Sequence, residues 1–255
     1  MSKNRHTYIP VLGSIATIGL VLYIRNLFKI QLTTDEKEAI YNGNIILKPN
    51  SKILAITVYP DDLNLYVGGT LKHLSQRNCD ITVINVVNDG KCMSLRNLIQ
   101  NRQTKQVKAA NVLGIKDTKL FHLPSMDLKK IENIKPMLEN AFLDIKPDII
   151  FAFDFLYPFN ALKYSNHMNV GRIAHRASSV LKNTKCQFAF YASSRPNSIV
   201  DITTTLEDKI CAVKCPQRQL RFRESLYKRG IRRLARYSAN RTILNYGETF
   251  RLNKI

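Results

Sequence analysis

The stretch that decides the fold is Ile53–Leu71, with the sequence ILAITVYPDDLNLYVGGTL. Its apolar, β-branched beginning, Ile53–Val58, is typical of a strand covered on both faces in a parallel sheet. The strand is predicted to end near Pro60, before a helix. Open α/β sheets bind ligands outside the carboxyl ends of their strands, so Asp61 and Asp62 are candidates for a general base beside a metal ligand. The alternative is an Asp that caps the helix N-terminus beside a solvated neighbour.

Strand-like and helix-like segments alternate along the rest of the chain. This alternation indicates right-handed βαβ units, and we predict a Rossmann-like, doubly wound α/β fold with a mostly parallel sheet and helices on both faces. In the commonest order the first and fourth strands are neighbours, which would bring Asp61 and Asp62 close to Asp154 and His167. The other predicted strands are Asp80–Val87, Lys119–Leu123, Asp148–Phe153 and Gln187–Ala192, and the predicted helices are Leu63–Arg77, Leu95–Leu113, Ile131–Ile145, His167–Leu181 and Thr204–Lys228 with a break at Pro216.

The composition favours an anionic partner. The 255 residues include 39 Lys and Arg against 19 Asp and Glu, a net charge of +20. Ten of the basic residues lie between Lys214 and Arg241, where the one acidic residue is Glu224. A solvated helical face is one interpretation, and contact with an anionic membrane surface is the other, at about 1 kcal/mol for each nearby Lys or Arg. Nucleic acid is not expected, because this segment has few aromatic residues and no recognition motif.

The N-terminal region is predicted to be a membrane anchor. Residues 7–24 contain no charged residue and reach the length of a spanning helix. A cleaved signal peptide is the alternative, but the apolar run is long and no small-x-small cleavage site follows it. We therefore predict a single-pass anchor at 1–29, a linker at 30–50 and a single domain at 51–255. Basic residues flank the run on both sides, so they do not decide which side of the membrane the domain faces.

Seven short motifs occur in one order along the chain. They are Tyr59-Pro60-Asp61-Asp62-Leu63 with Gly68-Gly69-Thr70-Leu71, Asn88-Asp89-Gly90, Ala109-Ala110-Asn111-Val112-Leu113-Gly114, Leu123 to Asp127, Tyr164-Ser165-Asn166-His167 with Val170-Gly171, Ser194-Arg195-Pro196-Asn197, and Tyr246-Gly247-Glu248-Thr249-Phe250. In this order they resemble the LmbE-like (PIG-L) de-N-acetylase family. The resemblance extends from about Lys52 to Arg251.

The resemblance implies a function and a set of site residues. Members of that family are zinc hydrolases that remove an acetyl group from N-acetylglucosamine-type conjugates. Transferred position by position, Asp61 would be the general base, while Asp62 and His167 would be metal ligands. Two family histidines are replaced, a metal ligand by Tyr59 and the residue that supports the oxyanion by Tyr164. The resemblance also implies substrate-binding roles for Asp89, Asn166 and Arg195.

The two replacements weaken the metal site. A catalytic zinc normally has three protein ligands, and a tyrosine binds metal as phenolate, from a reference pKa of about 10. We therefore expect zinc, or another divalent metal, to bind weakly or not at all unless Asp154 substitutes as an oxygen ligand. Tyr164 can still donate a hydrogen bond to an oxyanion. The first hypothesis is a metal-dependent N-deacetylase acting on an amino-sugar conjugate, including lipid-linked ones. The alternative is a catalytically impaired relative that binds a glycan or glycolipid at the membrane.

Overall fold

A seven-stranded sheet runs through the residues that this computed structural model describes, which are 30–87, 107–115, 117–123, 133–158, 164–215, 224–240 and 242–254. Its order is β3-β2-β1-β4-β5-β7-β6. The first five strands are parallel, β7 is antiparallel to β5, and β6 is antiparallel to the first half of β7. The strands are β1 (Lys52–Thr57), β2 (Asp80–Val87), β3 (Asp117–Leu123), β4 (Ile149–Phe153), β5 (Gln187–Tyr191), β6 (Ser198–Asp201) and β7 (Gly247–Lys254).

Helices cover both faces of the sheet and make two apolar layers. Alternate β1 residues contribute to each layer, with Ile53 and Ala55 on one face and Leu54 and Ile56 on the other. Because both faces are covered, the strand reads as an unbroken apolar run. The helices are α1 (Glu36–Ile46), α2 (Pro60–Tyr66), α3 (Gly68–Gln76), α4 (Ile134–Ile145), α5 (Ser165–Ala177), α6 (Leu206–Lys214) and α7 (Glu224–Ser238), with a further helical segment at 107–113 and a 3₁₀ turn at Ser178–Leu181.

The mixed α/β fold and the adjacency of β1 and β4 are confirmed, and the structure corrects the prediction at three elements. The helix predicted at Leu63–Arg77 is two helices that meet at Val67, whose ψ of −4° is not helical. Strands β6 and β7 were not predicted. They extend the parallel sheet with an antiparallel edge, which is common in doubly wound folds.

Residues 30–50 are part of the folded domain, so the predicted linker is wrong. Helix α1 packs on β6, and the backbone N–H of Gln31 donates to the carbonyl of Ser194 at 3.0 Å. A Cβ at Gly43 would lie 1.8 Å from the carbonyl oxygen of Ile199, so only glycine allows this close approach. Within the described ranges we find no helix long and apolar enough to cross a membrane. The predicted anchor at 7–24 lies outside those ranges and stays a prediction.

Candidate functional site

The turn from β1 into α2 fixes the position of Asp62. Tyr59 is the N-cap residue of α2, and its carbonyl accepts a hydrogen bond from the Thr57 hydroxyl at 2.7 Å. Asp62 follows in the first turn, where its Oδ2 accepts from the Tyr59 backbone N–H at 3.3 Å and lies 3.5 Å from the Thr57 hydroxyl. Asp62 therefore has a capping role as well, because it accepts a backbone hydrogen bond at the helix N-terminus.

Helix α5 brings His167 to the same place. It lies directly over the end of β4, where a Cβ at Gly171 would be 2.2 Å from the carbonyl oxygen of Phe153. His167 is in the first turn of α5, and its Nε2 lies 2.9 Å from Asp62 Oδ2. The predicted proximity of Asp62 and His167 is confirmed, since β1 and β4 are neighbours in the sheet.

Aromatic rings surround the imidazole of His167. The ring centroids of Phe153 and Tyr164 are 5.2 Å from that of His167, and the centroid of Tyr59 is 5.6 Å away. His167 is 7% exposed, and its Nδ1 is buried without a hydrogen-bond partner in the part of the chain that the structure describes. With Nε2 directed to Asp62, the second nitrogen keeps an unused hydrogen-bonding position.

Two further tyrosines belong to this site and were not predicted. The hydroxyls of Tyr66 and Tyr164 lie 3.4 Å apart, and the Tyr191 hydroxyl donates to the carbonyl of Ile56 at 3.2 Å. Burial raises the pKa of both Tyr66 and Tyr191, and the nearby Asp62 carboxylate raises each pKa further, so both phenols are neutral donors at neutral pH. The spacing of Asp62 and Tyr66 on one helix, four residues, was the available signal.

The remaining predicted residues are dispersed. Asp61 is exposed in the first turn of α2, and Asn166 is half-buried beside His167 in the first turn of α5. Arg195 is exposed after β5, with its guanidinium 5.0 Å from the ring centroid of Tyr157. Asp89 lies outside the described residues. Asp61 and Asn166 are thus the sequence neighbours of Asp62 and His167. The roles predicted for Asp61, Asn166, Arg195 and Asp89 stay predictions.

Asp154 is not available as a substitute ligand. It is fully buried, and Arg251 donates two hydrogen bonds to its carboxylate, from Nε at 2.8 Å and from a terminal nitrogen at 2.9 Å. The backbone N–H groups of Leu156 and Tyr157 donate to its Oδ1 as well, at 2.9 and 3.2 Å. A bidentate, charge-assisted pair of this kind uses the oxygens that a metal would need.

The residues at the site do not fit a complete zinc centre. Asp62 and His167 are two donors where catalytic zinc takes three. No group of three or more His, Cys, Asp and Glu side chains that could hold a metal occurs among the residues described. A zinc-bound histidine usually donates its other N–H to a carboxylate or carbonyl, whereas the Nδ1 of His167 has no such acceptor within the described ranges.

Comparison with known proteins identifies the family of the segment that holds this site. The model of the PIG-L family, described as GlcNAc-PI de-N-acetylase, matches residues 54–178. These residues form a PIG-L family domain. The match runs from β1 to the end of α5 and therefore includes Asp62 and His167, the two members of the central pair.

Similar proteins extend the likeness beyond that segment. Diacetylchitobiose deacetylase of Thermococcus kodakarensis is 24% identical over 224 residues, 78% of this chain and 82% of that protein. The probable N-acetyl-alpha-D-glucosaminyl L-malate deacetylase 2 of Bacillus anthracis is 22% identical over 162 residues, 60% of this chain and 70% of that protein. The solved N,N'-diacetylchitobiose deacetylase from Pyrococcus horikoshii, in complex with its inhibitor MPG, is 21% identical with a TM-score of 0.70 over 98% of this chain and 94% of that one. This likeness shows a shared fold.

Proposed function

We propose that this protein is an N-deacetylase that hydrolyses the acetamide of an amino-sugar conjugate, including lipid-linked ones. The observation that carries the proposal is the 2.9 Å contact between Asp62 and His167 at the exit of β1, inside the PIG-L segment. The named activities of the relatives, which are deacetylases of diacetylchitobiose and of an N-acetylglucosaminyl malate, support the class of substrate.

The reaction needs a base and an oxyanion donor, and the chain has a residue for each. Asp61 takes a proton from water as the water oxygen attacks the acetyl carbonyl carbon. The Tyr164 hydroxyl donates to the developing oxyanion, and the neighbouring Tyr66 hydroxyl, 3.4 Å away, orients it. The carbon–nitrogen bond then breaks, the proton passes to the amine, and acetate and a free amine are formed. The hydrogen bond between His167 and Asp62 fixes the position of both side chains in the site.

The test is acetate release from two substrates, N,N'-diacetylchitobiose and N-acetylglucosaminyl-phosphatidylinositol. We expect Asp61→Asn and His167→Ala to abolish release, while Ser165→Ala, an exposed position in the same turn as His167, leaves it unchanged. Purified protein that releases no acetate from either substrate, with or without added Zn²⁺, contradicts the proposal.

A second function is favoured by one observation, the incomplete donor set around His167. We propose as the alternative a binding protein that holds the N-acetylated sugar in the same aromatic site without hydrolysing it. Aromatic rings such as those of Tyr59 and Tyr164 offer flat apolar surfaces beside hydroxyl groups, which suits a sugar ring. Saturable binding of N,N'-diacetylchitobiose without acetate release, lost in His167→Ala, would establish this alternative.

We also propose that residues 7–24 hold the protein in a membrane as a single-pass anchor. The support is an uncharged run of spanning length. The first described contacts of the domain begin at Gln31 and Thr33, which bond the backbone at Ser194 and Pro196, so deletion of residues 1–29 leaves them in place. The full chain should resist carbonate extraction from membranes, and the shortened chain should not. A full chain extracted completely by carbonate contradicts the anchor.

A further inference from the structure

We propose that helix α7 and the loop after it form a docking surface for an anionic lipid bilayer. This surface, here called the basic face, consists of Arg229, Arg232, Arg233 and Arg236 with Tyr237 and Ile243. It goes beyond the proposed hydrolysis and does not use the residues of the Asp62–His167 site.

The helix separates its apolar and basic residues cleanly. Ile231 and Ala235 are buried against the domain, while the four arginines of the basic face are exposed. Arg232 bonds Glu207, and Arg236 lies 5.5 Å from the ring centroid of Tyr246. Arg229 and Arg233 have no ion pair with any described residue, so their charge is directed to solvent and to an external anion.

Exposed apolar side chains lie beside this charge. Tyr237, in the last turn of α7, is 37% exposed, and Ile243, in the loop after the helix, is 84% exposed. Isolated large apolar residues are common on protein surfaces, but here they accompany a cationic helix. Arginines with an adjacent tyrosine and an aliphatic side chain are the combination that binds the interface of a bilayer, where the charge meets headgroups and the apolar group enters the acyl boundary.

The first described residues of the chain contact this end of α7. Leu32 packs in one apolar cluster with Ala239 and Leu244, and the Ile243 backbone N–H donates to the Glu36 carboxylate. The predicted anchor ends at residue 24. The eight residues from 25 to 32 span at most about 29 Å when fully extended. This step rests on the anchor proposed above: with residues 7–24 in a membrane, the C-terminal end of α7 lies within a short tether of the bilayer, and lipid is the anionic partner in reach.

The test is hydrogen–deuterium exchange of the full chain in nanodiscs of phosphatidylcholine alone and with phosphatidylserine added. We expect exchange in residues 228–243 to slow when phosphatidylserine is present, and this slowing to be lost at high salt, because surface attraction is screened within a Debye length. Arg229→Glu with Arg233→Glu should remove the slowing. The matched control, Lys182→Glu with Lys185→Glu, makes the same charge change at exposed positions elsewhere and should keep it.

Three results would overturn the proposal. The first is equal exchange in both kinds of nanodisc. The second is slowing in phosphatidylserine that survives both Arg229→Glu with Arg233→Glu and the milder Arg229→Gln with Arg233→Gln, the second pair serving if the first lowers the melting temperature. The third is slowing by single-stranded RNA in solution without slowing by phosphatidylserine, which would assign the face to nucleic acid. Failure of the hydrolysis assay leaves the proposal intact, since no residue is shared, and carbonate extraction of the full chain reports a failure of the anchor separately.

Discussion

Two side-chain pairs at helix N-termini, Glu248–Lys209 and Asp62–His167, differ in how many hydrogen bonds the carboxylate accepts. Glu248 accepts four hydrogen bonds of 2.9 Å or less, from Lys209 and Gly69 on one oxygen and from the N–H and hydroxyl of Thr70 on the other. Glu248 and Lys209 are at most 2% exposed. The Oδ2 of Asp62 has contacts of 2.9, 3.3 and 3.5 Å, and the Asp62 side chain is 16% exposed.

We interpret this difference as one between a structural pair and the pair at the proposed site. A buried polar network with every member satisfied stabilises and rigidifies the fold, and the Glu248 network joins β7, α6 and the start of α3. The Asp62–His167 pair keeps a buried nitrogen without a partner among the described residues, together with partial exposure. Departures of this kind from full satisfaction are expected at functional sites, so stability should depend on Glu248 and ligand binding on Asp62 and His167.

The largest expected effect is at the structural pair. Glu248→Gln leaves the ammonium group of Lys209 buried without its counter-charge, and removal of one partner of a buried pair costs about 3–5 kcal/mol. We expect a loss of this size in the free energy of unfolding, measured by urea titration with circular dichroism. The double variant with Lys209→Met should recover part of the loss. A loss below about 1 kcal/mol would show that water enters this network and that the contrast with Asp62 is wrong.

The next largest effect is expected from a substitution that adds a third metal donor to the Asp62–His167 pair. Tyr59→His adds an imidazole beside Asp62 and His167. The site then has three donors, the number that catalytic zinc requires. Even the outer partners of a metal site change affinity by about 10–100-fold, so we expect at least that gain in zinc affinity, measured by competition with a chelator. Tyr59→Phe is the control and should give no gain. One zinc per chain in the unchanged protein, unaffected by Tyr59→His, would contradict the incomplete donor set.

A smaller effect should come from Asp62 itself. Asp62→Asn keeps the shape of the side chain and replaces its charge, and the net contribution of one hydrogen bond is about 1 kcal/mol. We therefore expect the free energy of unfolding to fall by about 1 kcal/mol, well below the loss in Glu248→Gln, while acetate release or sugar binding is lost. A stability loss equal to that of Glu248→Gln would place Asp62 among the structural residues.

The part of the fold that the sequence predicted is the part built from apolar runs. Strands β1 to β5 are visible because residues such as Ile53 and Leu54 are buried on both faces of a parallel sheet. Strand β6 has four residues, and β7, with the sequence GETFRLNK, has little apolar content, so neither resembles a buried strand. Helix α1 is polar along most of its length and is held by a close backbone approach at Gly43, which no periodicity reveals.

The site was predictable where it depended on topology. Asp62 and His167 meet because strand exits at the switch point converge. The true role of Asp154 was not predictable, because its partner Arg251 lies 97 residues away on a strand that was not expected. A still longer separation in sequence hides the Glu248 network, in which Gly69 and Thr70 are 179 and 178 residues from Glu248. Long-range side-chain pairs leave no local pattern, while alternating strands and helices do.

The smallest expected effect is a pH dependence of stability that arises close to the Glu248 network. His73 lies on α3, one turn after Thr70 of the Glu248 network. Burial lowers the pKa of His73 below its usual value of about 6.5, although a hydrogen bond to the Asp201 backbone raises it in part. The unfolded chain therefore binds this proton more readily than the folded one. The stabilising contribution is present above pH 6.5 and is lost as the pH falls through the lowered pKa.

His73→Gln should flatten the fall in stability between about pH 7 and pH 5, with no change above that range. The measurement is the urea midpoint as a function of pH. His175 provides a comparison, because burial and Arg251 lower its pKa too, so His175→Gln should flatten the same interval by a separate, additive amount. A profile that neither His73→Gln nor His175→Gln changes would mean that the fall in stability below pH 7 does not arise from these two histidines. That result would contradict the assignment of this pH dependence to the part of the molecule around Glu248.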